Sequence, residues 1–250
     1  MKRYELSGAP WRKIEGFLPG RAGSVGVTAK DNRNFVNGVL WVLRSGAHWK
    51  HLPAEYGNWK SVHKRFTRWA ESGVWERIFQ VLLTDPNNTY IMIDSTIVRA
   101  HQQAACGKGG AKGQAVGRSR GGLSTKIHLV ADAKGQPIRF ILTEGQAHDA
   151  PQAIPLLTGI KASHVIADKG YESDKVLDFI RSEGAIAVIP PKSNRKNPWE
   201  YDRELYKQRN LIERAFNKLK HWRRIATRYD RRSLFFLATL HLAAAVIWGV

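Results

Sequence analysis

The chain has 250 residues, 43% of them hydrophobic, enough to bury a core and to form one or two domains. It carries 40 Lys and Arg against 21 Asp and Glu, a formal charge of +19, which disfavours cationic partners and favours polyphosphates or an anionic surface. Cys106 is the only cysteine, which excludes a disulfide within the chain and a cysteine-based zinc site and suits a reducing cytoplasmic interior.

From the N-terminus, Met1–Leu6 lacks the apolar run of a signal peptide. Residues 1–86 read as helical and hold six of the nine tryptophans. Phe35, Val39, Val42 and Leu43 make one helical stripe, closed by Gly46 as a C-cap. Val62, Phe66 and Trp69 mark a second helix, and Val74, Ile78, Val81 and Leu82 a third beyond Gly73. Two short helices pivoting at a glycine and carrying Lys60, Lys64, Arg65, Arg68 and Arg77 suit a helix-turn-helix-like DNA-binding domain. A small bundle with a basic exterior fits the same pattern. The turn cluster Asp85-Pro86-Asn87-Asn88 is the expected boundary with a second domain, 87–250.

Strands are expected there at Tyr90–Val98, Lys126–Ala131, Ile138–Thr143, His164–Ala167 and Ala185–Ile189. Helices are expected at Pro151–Leu157, Ser173–Ser182 and Arg203–Arg228. Three strands followed by alternating helices and strands describe a mixed α/β sheet. The glycine-rich stretch Ala104–Gly122 reads as a mobile basic loop; no Gly-Lys-Ser/Thr ends it, so it is not a P-loop. The apolar run Leu234–Val250, interrupted by His241, is short for a membrane span and reads as a buried closing helix. Two blocks, Ser95–Ala131 and Arg214–Tyr229, each hold six Lys or Arg and no acid. Nucleic acid suits such blocks, because each cation–phosphate contact releases condensed counterions.

Three acids stand out against this basic background. Asp94 interrupts the β-branched run Tyr-Ile-Met-Ile-Asp-Ser-Thr-Ile-Val, where propensity and burial both disfavour it unless it serves chemistry or lies on an edge strand facing water. Asp168 ends His-Val-Ile-Ala-Asp-Lys-Gly-Tyr, at the carboxyl end of a strand, where open α/β sheets keep their sites; an ordinary turn residue is the alternative. Glu213 belongs to an array, Tyr206, Arg209, Glu213 and Lys220, that falls within about 60° of arc on a helix. A solvated helix face with chance i,i+4 pairs would give the same stripe. Three acids on separate elements can converge on a pair of divalent cations, as in-line phosphodiester chemistry requires, and hard carboxylate oxygens suit Mg²⁺ or Mn²⁺. His148-Asp149 is a competing metal pair, explained more cheaply if Asp149 caps a helix ahead of Pro151.

These residues resemble the DDE transposases of bacterial insertion sequences, in the branch around insertion-sequence family five. The Tyr206–Lys220 array has the spacing of that group's YREK signature, and Ile-Asp-Ser-Thr at Asp94 and Ala-Asp-Lys-Gly-Tyr at Asp168 resemble its two aspartate blocks. Gly117–His128 (Gly-Arg-Ser-Arg-Gly-Gly-Leu-Ser-Thr-Lys-Ile-His), the block Arg44–Pro53, Gly-Asn-Trp and Phe66–Trp69 are also similar to the family. The resemblance implies a ribonuclease-H-like fold in the second domain, with Asp94 bridging two metals and Asp168 and Glu213 each holding one. It implies that Arg209 and Lys220 hold DNA phosphates and that Tyr206 contacts a flanking nucleotide. Arg118, Arg120 and Lys126 of the first basic block, and Lys64, Arg65 and Arg68 of the helical pair, are expected as further DNA contacts. The expected activity is cleavage at transposon ends and transfer of the freed 3′-hydroxyl into double-stranded target DNA. A homodimer on DNA and no membrane association are expected with it. A ribonuclease-H-like nuclease or resolvase that cleaves without joining is the rival, and a non-catalytic basic DNA-binding protein a more distant one.

Overall fold

The computed structural model describes residues 4–21, 23, 28–82 and 87–249. Met1–Arg3, the side chain of Leu82 and the Asp85-Pro86 half of the expected boundary turn lie outside the described residues. In chain order the elements are α1 (Gly8–Glu15), α2 (Asn32–Ser45), α3 (Trp59–Glu71), α4 (Val74–Leu82), β1 (Tyr90–Ala100), α5 (Gly110–Gly113), β2 (Gly117–Ser119), β3 (Gly122–Asp132), β4 (Pro137–Glu144), α6 (Ala150–Leu157), β5 (His164–Ile166), α7 (Asp174–Ser182), β6 (Ile186–Val188), α8 (Arg203–Tyr206), α9 (Asn210–Lys220), α10 (Arg223–Ala226) and α11 (Ser233–Trp248).

Two compact units emerge, Met1–Thr84 with Leu219–Val250, and Asp85–Lys218. The segment from Leu219 onward, expected with the second domain, instead belongs to the first unit. The reason lies in α11, which is apolar around most of its circumference and so requires burial on all sides; it packs on α3 and α4. Among the described residues no helix is long and apolar enough to cross a membrane.

The tryptophans of the first unit build its core. Trp69 and Trp75 lie with Phe35 and Phe66 in mutual ring contacts at 5.0–6.2 Å, joined by Trp49 against Phe66. Trp75 is buried, and its indole N–H donates to the Phe66 carbonyl at 3.1 Å, so no polar atom is stranded. α2 ends at Gly46, whose φ of 77° only glycine adopts without strain. Gly73, at φ 70°, makes the corner between α3 and α4.

His241 on α11 is buried and stacks on Phe79 at 4.9 Å, and burial pushes its pKa down to about 4. The unfolded chain binds this proton near the ordinary value of about 6.5. The folded histidine stays neutral to about 4, so its stabilising share is complete above about pH 6.5 and is lost as the pH falls from there toward 4. His241→Leu is expected to flatten the decline in melting temperature between pH 6.5 and 4. Melting curves across that range with the parental slope would refute it.

The second unit is a mixed sheet in the order β2-β3-β1-β5-β6, with β4 also paired to β3. β3 runs antiparallel to β1, β2 and β4, while β5 is parallel to both β1 and β6. All five predicted strands are present within a few residues, and β2 is an addition. Ile91, Ile93 and Val130 face one side of the sheet and form a core with Ala153, Leu156 and Leu157 of α6 and Val176, Leu177 and Ile180 of α7. The glycine-rich stretch, expected as a mobile loop, carries α5 and β2. Its Ala104 and Val116 are buried against Ala100 at the end of β1, which explains the order.

Candidate active site

β1 lies between β3 and β5, so Asp94 sits on a central strand and the edge-strand explanation falls away. Its side chain keeps 14% exposure. Oδ1 accepts the backbone N–H of Ser95 at 2.7 Å, and Oδ2 accepts Nη1 of Arg209 at 2.7 Å. Burial raises the Asp94 pKa to about 6; the Ser95 N–H and Arg209 pull it back, while the charges of Asp168 and Glu213 push it up further.

Backbone register brings the second aspartate to the first. Ile91 pairs with Val165 and Met92 with Ile166 in parallel. Extending that register by two residues sets Asp168 abreast of Asp94, and neighbouring strands lie about 4.8 Å apart. Asp168 caps a 3-10 turn at Lys169–Tyr171, its Oδ1 accepting the Gly170 N–H at 2.8 Å. A Cβ on Gly170 would stand 2.9 Å from that oxygen, so glycine is what allows the backbone so close.

The Arg203–Arg228 helix is not continuous. α8 passes through a 3-10 turn at Lys207–Arg209 into α9, and Trp222 turns the chain before α10. Burial of Trp222, with Arg44 stacked 4.7 Å from its ring centre, accounts for that last break. The 3-10 turn keeps Tyr206 and Arg209 on one face, since residues three apart eclipse there. Arg209 binds Asp94 through one nitrogen and Glu213 through the other, drawing β1 and α9 together. The start of α9 is seated on the β3–β4 turn, where a Cβ on Gly135 would meet Leu211 at 3.3 Å. Tyr206 packs edge-on against Tyr201 at 5.5 Å, and burial raises its pKa. Lys220 is the last residue of α9, half-buried, with its pKa lowered by burial.

Several expected DNA contacts need correction. Lys126 is buried: its ammonium donates to Asp149 Oδ1 at 2.9 Å and to the Ala147 carbonyl at 2.6 Å, which commits it to the interior. Arg65 lies half-buried over the rings of Phe35 and Trp69, at 4.2 and 4.6 Å. Arg224 and Arg228, in the second basic block, are buried as well, with Arg228 Nε donating to the Asp230 carbonyl at 3.0 Å. Arg118, Arg120, Lys64 and Arg68 are exposed. Asp149 holds the N-cap position of α6 but makes no capping bond; its carboxylate turns to Lys126 and to the Ser95 hydroxyl, at 2.7 Å. The buried Lys126 ammonium takes that carboxylate, while Pro151 offers no N–H and the Gln152 N–H donates to the Asp149 carbonyl at 2.9 Å.

Sequence reasoning missed Ser95, Tyr171 and Glu172. The first two lie inside the two aspartate blocks, and a serine beside a strand-interior aspartate was a usable signal. Glu172, buried, pairs with Lys192 and Arg195 from the segment after β6, and nothing local in the sequence foretells that contact.

Residues 86–248 match the family described as Transposase DDE domain, and residues 6–79 one named for transposases of the IS4/5 family. A Brucella ovis protein named for the transposase of insertion sequence element IS6501 is 44% identical over 128 residues, 50% of this chain and 98% of that protein. A Burkholderia cepacia protein named for the transposase of element IS402 is 32% identical over 135 residues, 49% of this chain and 62% of that protein. Among solved structures, piggyBac transposase in a synaptic complex with hairpin DNA matches with a TM-score of 0.56, over 96% of this chain and 70% of that one. At 11% identity that likeness concerns the fold alone, a ribonuclease-H-like one.

DDE transposase domains use divalent metal ions. The chemistry of the donors suits such an ion: Asp94, Asp168 and Glu213 offer hard carboxylate oxygens, and the charges of the latter two add to burial in raising the proton affinity of Asp94. Among the described residues no three Asp, Glu, His or Cys side chains are already grouped to hold an ion, and Arg209 is the cation that binds two of the acids. Matched over 6–79 and again over 86–248, the chain belongs to the DDE transposases of the IS4/5 family, enzymes of DNA transposition.

Proposed function

We propose that this transposase cuts DNA at the ends of its element and joins the freed 3′-hydroxyl to target DNA, with Asp94, Asp168 and Glu213 as the catalytic acids holding Mg²⁺ or Mn²⁺. The observation that carries this reading is the meeting of Asp94 and Glu213, distant in sequence, on one guanidinium, with Asp168 close enough to raise the Asp94 pKa. Bound by these acids, divalent ions would supply charge stabilisation to the attacking and leaving oxygens. In the first step water attacks the end phosphate, and the 3′-oxygen leaves and gains a proton. In the second that hydroxyl attacks a target phosphodiester, whose own 3′-oxygen departs. Asp94, fixed on a central strand, sets the reaction centre. Arg209 and Lys220 orient the scissile phosphate, and Tyr206 meets the flanking nucleotide. Two ends are handled together, so the working form is a homodimer on DNA, in the bacterial cytoplasm. The N-terminal helices, with Lys64 and Arg68 exposed, serve as the DNA-binding domain. Incubating the protein with a pre-cleaved end from its own flanking repeats and a target plasmid tests the joining step. Cleavage of intact ends without joined product would favour the nuclease instead.

Binding to duplex ends is expected to weaken steeply with salt, with a log–log slope of roughly −0.9 per phosphate neutralised. Arg118 and Arg120 are exposed and belong to that footprint, whereas Lys126, Arg224 and Arg228 are buried and do not. Arg118→Ala is expected to lower the slope by about 1 and Lys126→Met to leave it unchanged. Titrations at several salt concentrations decide the matter, and a slope that is flat in the parental protein refutes the footprint.

A further inference from the structure

On the face of the sheet opposite Asp94 lies a polar cluster that the proposed chemistry leaves unused. Asp149, at the start of α6, is 27% exposed in its side chain, and its Oδ1 accepts from Ser95 Oγ at 2.7 Å and from Lys126 Nζ at 2.9 Å. His128 Nδ1 lies 3.8 Å from the same oxygen, and its Nε2 meets Thr143 Oγ1 at 2.8 Å. Ser95 and His128 are direct cross-strand partners, as are Lys126 and Ile97, so β1 and β3 present these groups on one face. Tyr171, 1% exposed, sits at the end of the turn that Asp168 caps, and its phenol is in the electrostatic field of Asp149, Asp94 and Asp168 and next to Ser95. One carboxylate thus ties α6, β1 and β3 together beside the Asp168 turn.

Ser95 connects that cluster to the reaction centre. Its hydroxyl donates to Asp149 while its backbone N–H donates to the Asp94 carboxylate, both at 2.7 Å. Successive side chains of a strand point to opposite faces, so the residue that anchors β1 from behind is also the one whose amide aims Asp94 in front. Resting on the transposase reading above, we infer that Asp149 is a positioning residue of this enzyme: through Ser95 it fixes the Asp94 carboxylate in the orientation that receives a divalent metal. A second role for the cluster, neutralising buried Lys126, is met by the same oxygen and needs no link to Asp94. The two roles therefore separate at Ser95, whose hydroxyl matters only to the first.

The test measures Mn²⁺ binding by the full chain without DNA, by electron paramagnetic resonance, and the Mn²⁺ concentration that half-saturates end cleavage. Loss of an outer hydrogen-bond partner of a metal-binding carboxylate costs about 10- to 100-fold. Ser95→Ala keeps the backbone N–H on Asp94 and removes only the anchor behind it, so Mn²⁺ binding is expected to weaken toward the low end of that range, by about 10-fold, with the half-saturating concentration raised alike. Ser95→Thr, which keeps the hydroxyl, restores both. Asp149→Asn, isosteric and still an acceptor, gives a smaller shift in the same direction, because hydrogen bonds to a charged partner are roughly twice as strong. Val176→Ala truncates a buried core side chain of α7 and serves as a stability control that leaves Mn²⁺ binding at the parental level. Parental binding in Ser95→Ala or Asp149→Asn overturns the inference. So does a Ser95→Thr as weak as the alanine variant, a Val176→Ala as weak as either, or a parental chain that binds no Mn²⁺. A parental chain that binds Mn²⁺ but neither cuts nor joins DNA sinks the transposition chemistry alone, since the binding shifts are read without DNA.

Discussion

Asp94→Asn, Asp168→Asn and Glu213→Gln are each expected to abolish end cleavage and strand transfer while leaving binding to the transposon ends nearly unchanged. Each amide keeps the size of the side chain and removes one charged oxygen ligand. Carboxylates meeting on a metal pair are not interchangeable with amides, because the site depends on their charge as much as on their oxygens. Asp94 should be the most sensitive, since it alone is held on a central strand with both oxygens engaged, one by Ser95 and one by Arg209. End binding survives because the duplex footprint is carried by exposed cations such as Arg118, Arg120, Lys64 and Arg68, none of which pairs with these acids. Gel-shift and cleavage assays on the same preparations check both halves. Full activity in any one amide removes that residue from the site, and lost end binding in all three would recast the acids as structural.

The candidate acids stand out in the sequence for a physical reason. A carboxylate inside Ile-Met-Ile-Asp-Ser-Thr-Ile breaks the pattern that burial imposes, and such a break is costly unless the group has work to do. Asp168 was visible from its place at a strand end before glycine; it lies two residues past the last pairing of β5 with β1, and its charge reaches Asp94. What escaped was whatever depends on tertiary partners. Lys126 looks like one more cation in a basic block, but its strand faces α6, where Asp149 is waiting, and the ammonium is buried. Asp149 has the sequence context of a helix cap and forgoes capping for the same contact. The long amphipathic pattern from Arg203 to Arg228 is real as a pattern, yet it cannot register the 3-10 turn at Lys207–Arg209 or the corner at Trp222. The destination of the C-terminal helix was equally hidden, because an all-round apolar helix states that it must be buried without stating where.

Arg209→Ala is the second large effect, and here cleavage and metal binding should move in opposite directions. Arg209 is the counter-charge that Asp94 and Glu213 share. Removing it leaves both acids without their cation, so Mn²⁺ binding in the absence of DNA should hold or tighten, since a divalent ion and the guanidinium compete for the same oxygens. Cleavage should nevertheless fall on the order of 100-fold, because a scissile phosphate misplaced by about 1 Å costs that much. Lys220→Ala should lose cleavage in the same way. Arg209→Lys should recover little, because a point-charge ammonium cannot grip a phosphate bidentately as a planar guanidinium fork does. If Arg209 were instead an ordinary i,i+4 partner of Glu213, its removal would cost about 0.2–0.5 kcal/mol of helix stability and nothing in rate. Single-turnover cleavage at saturating DNA separates the two cases. An alanine variant that cuts at the parental rate would leave Arg209 as helix surface and only the three acids in the site.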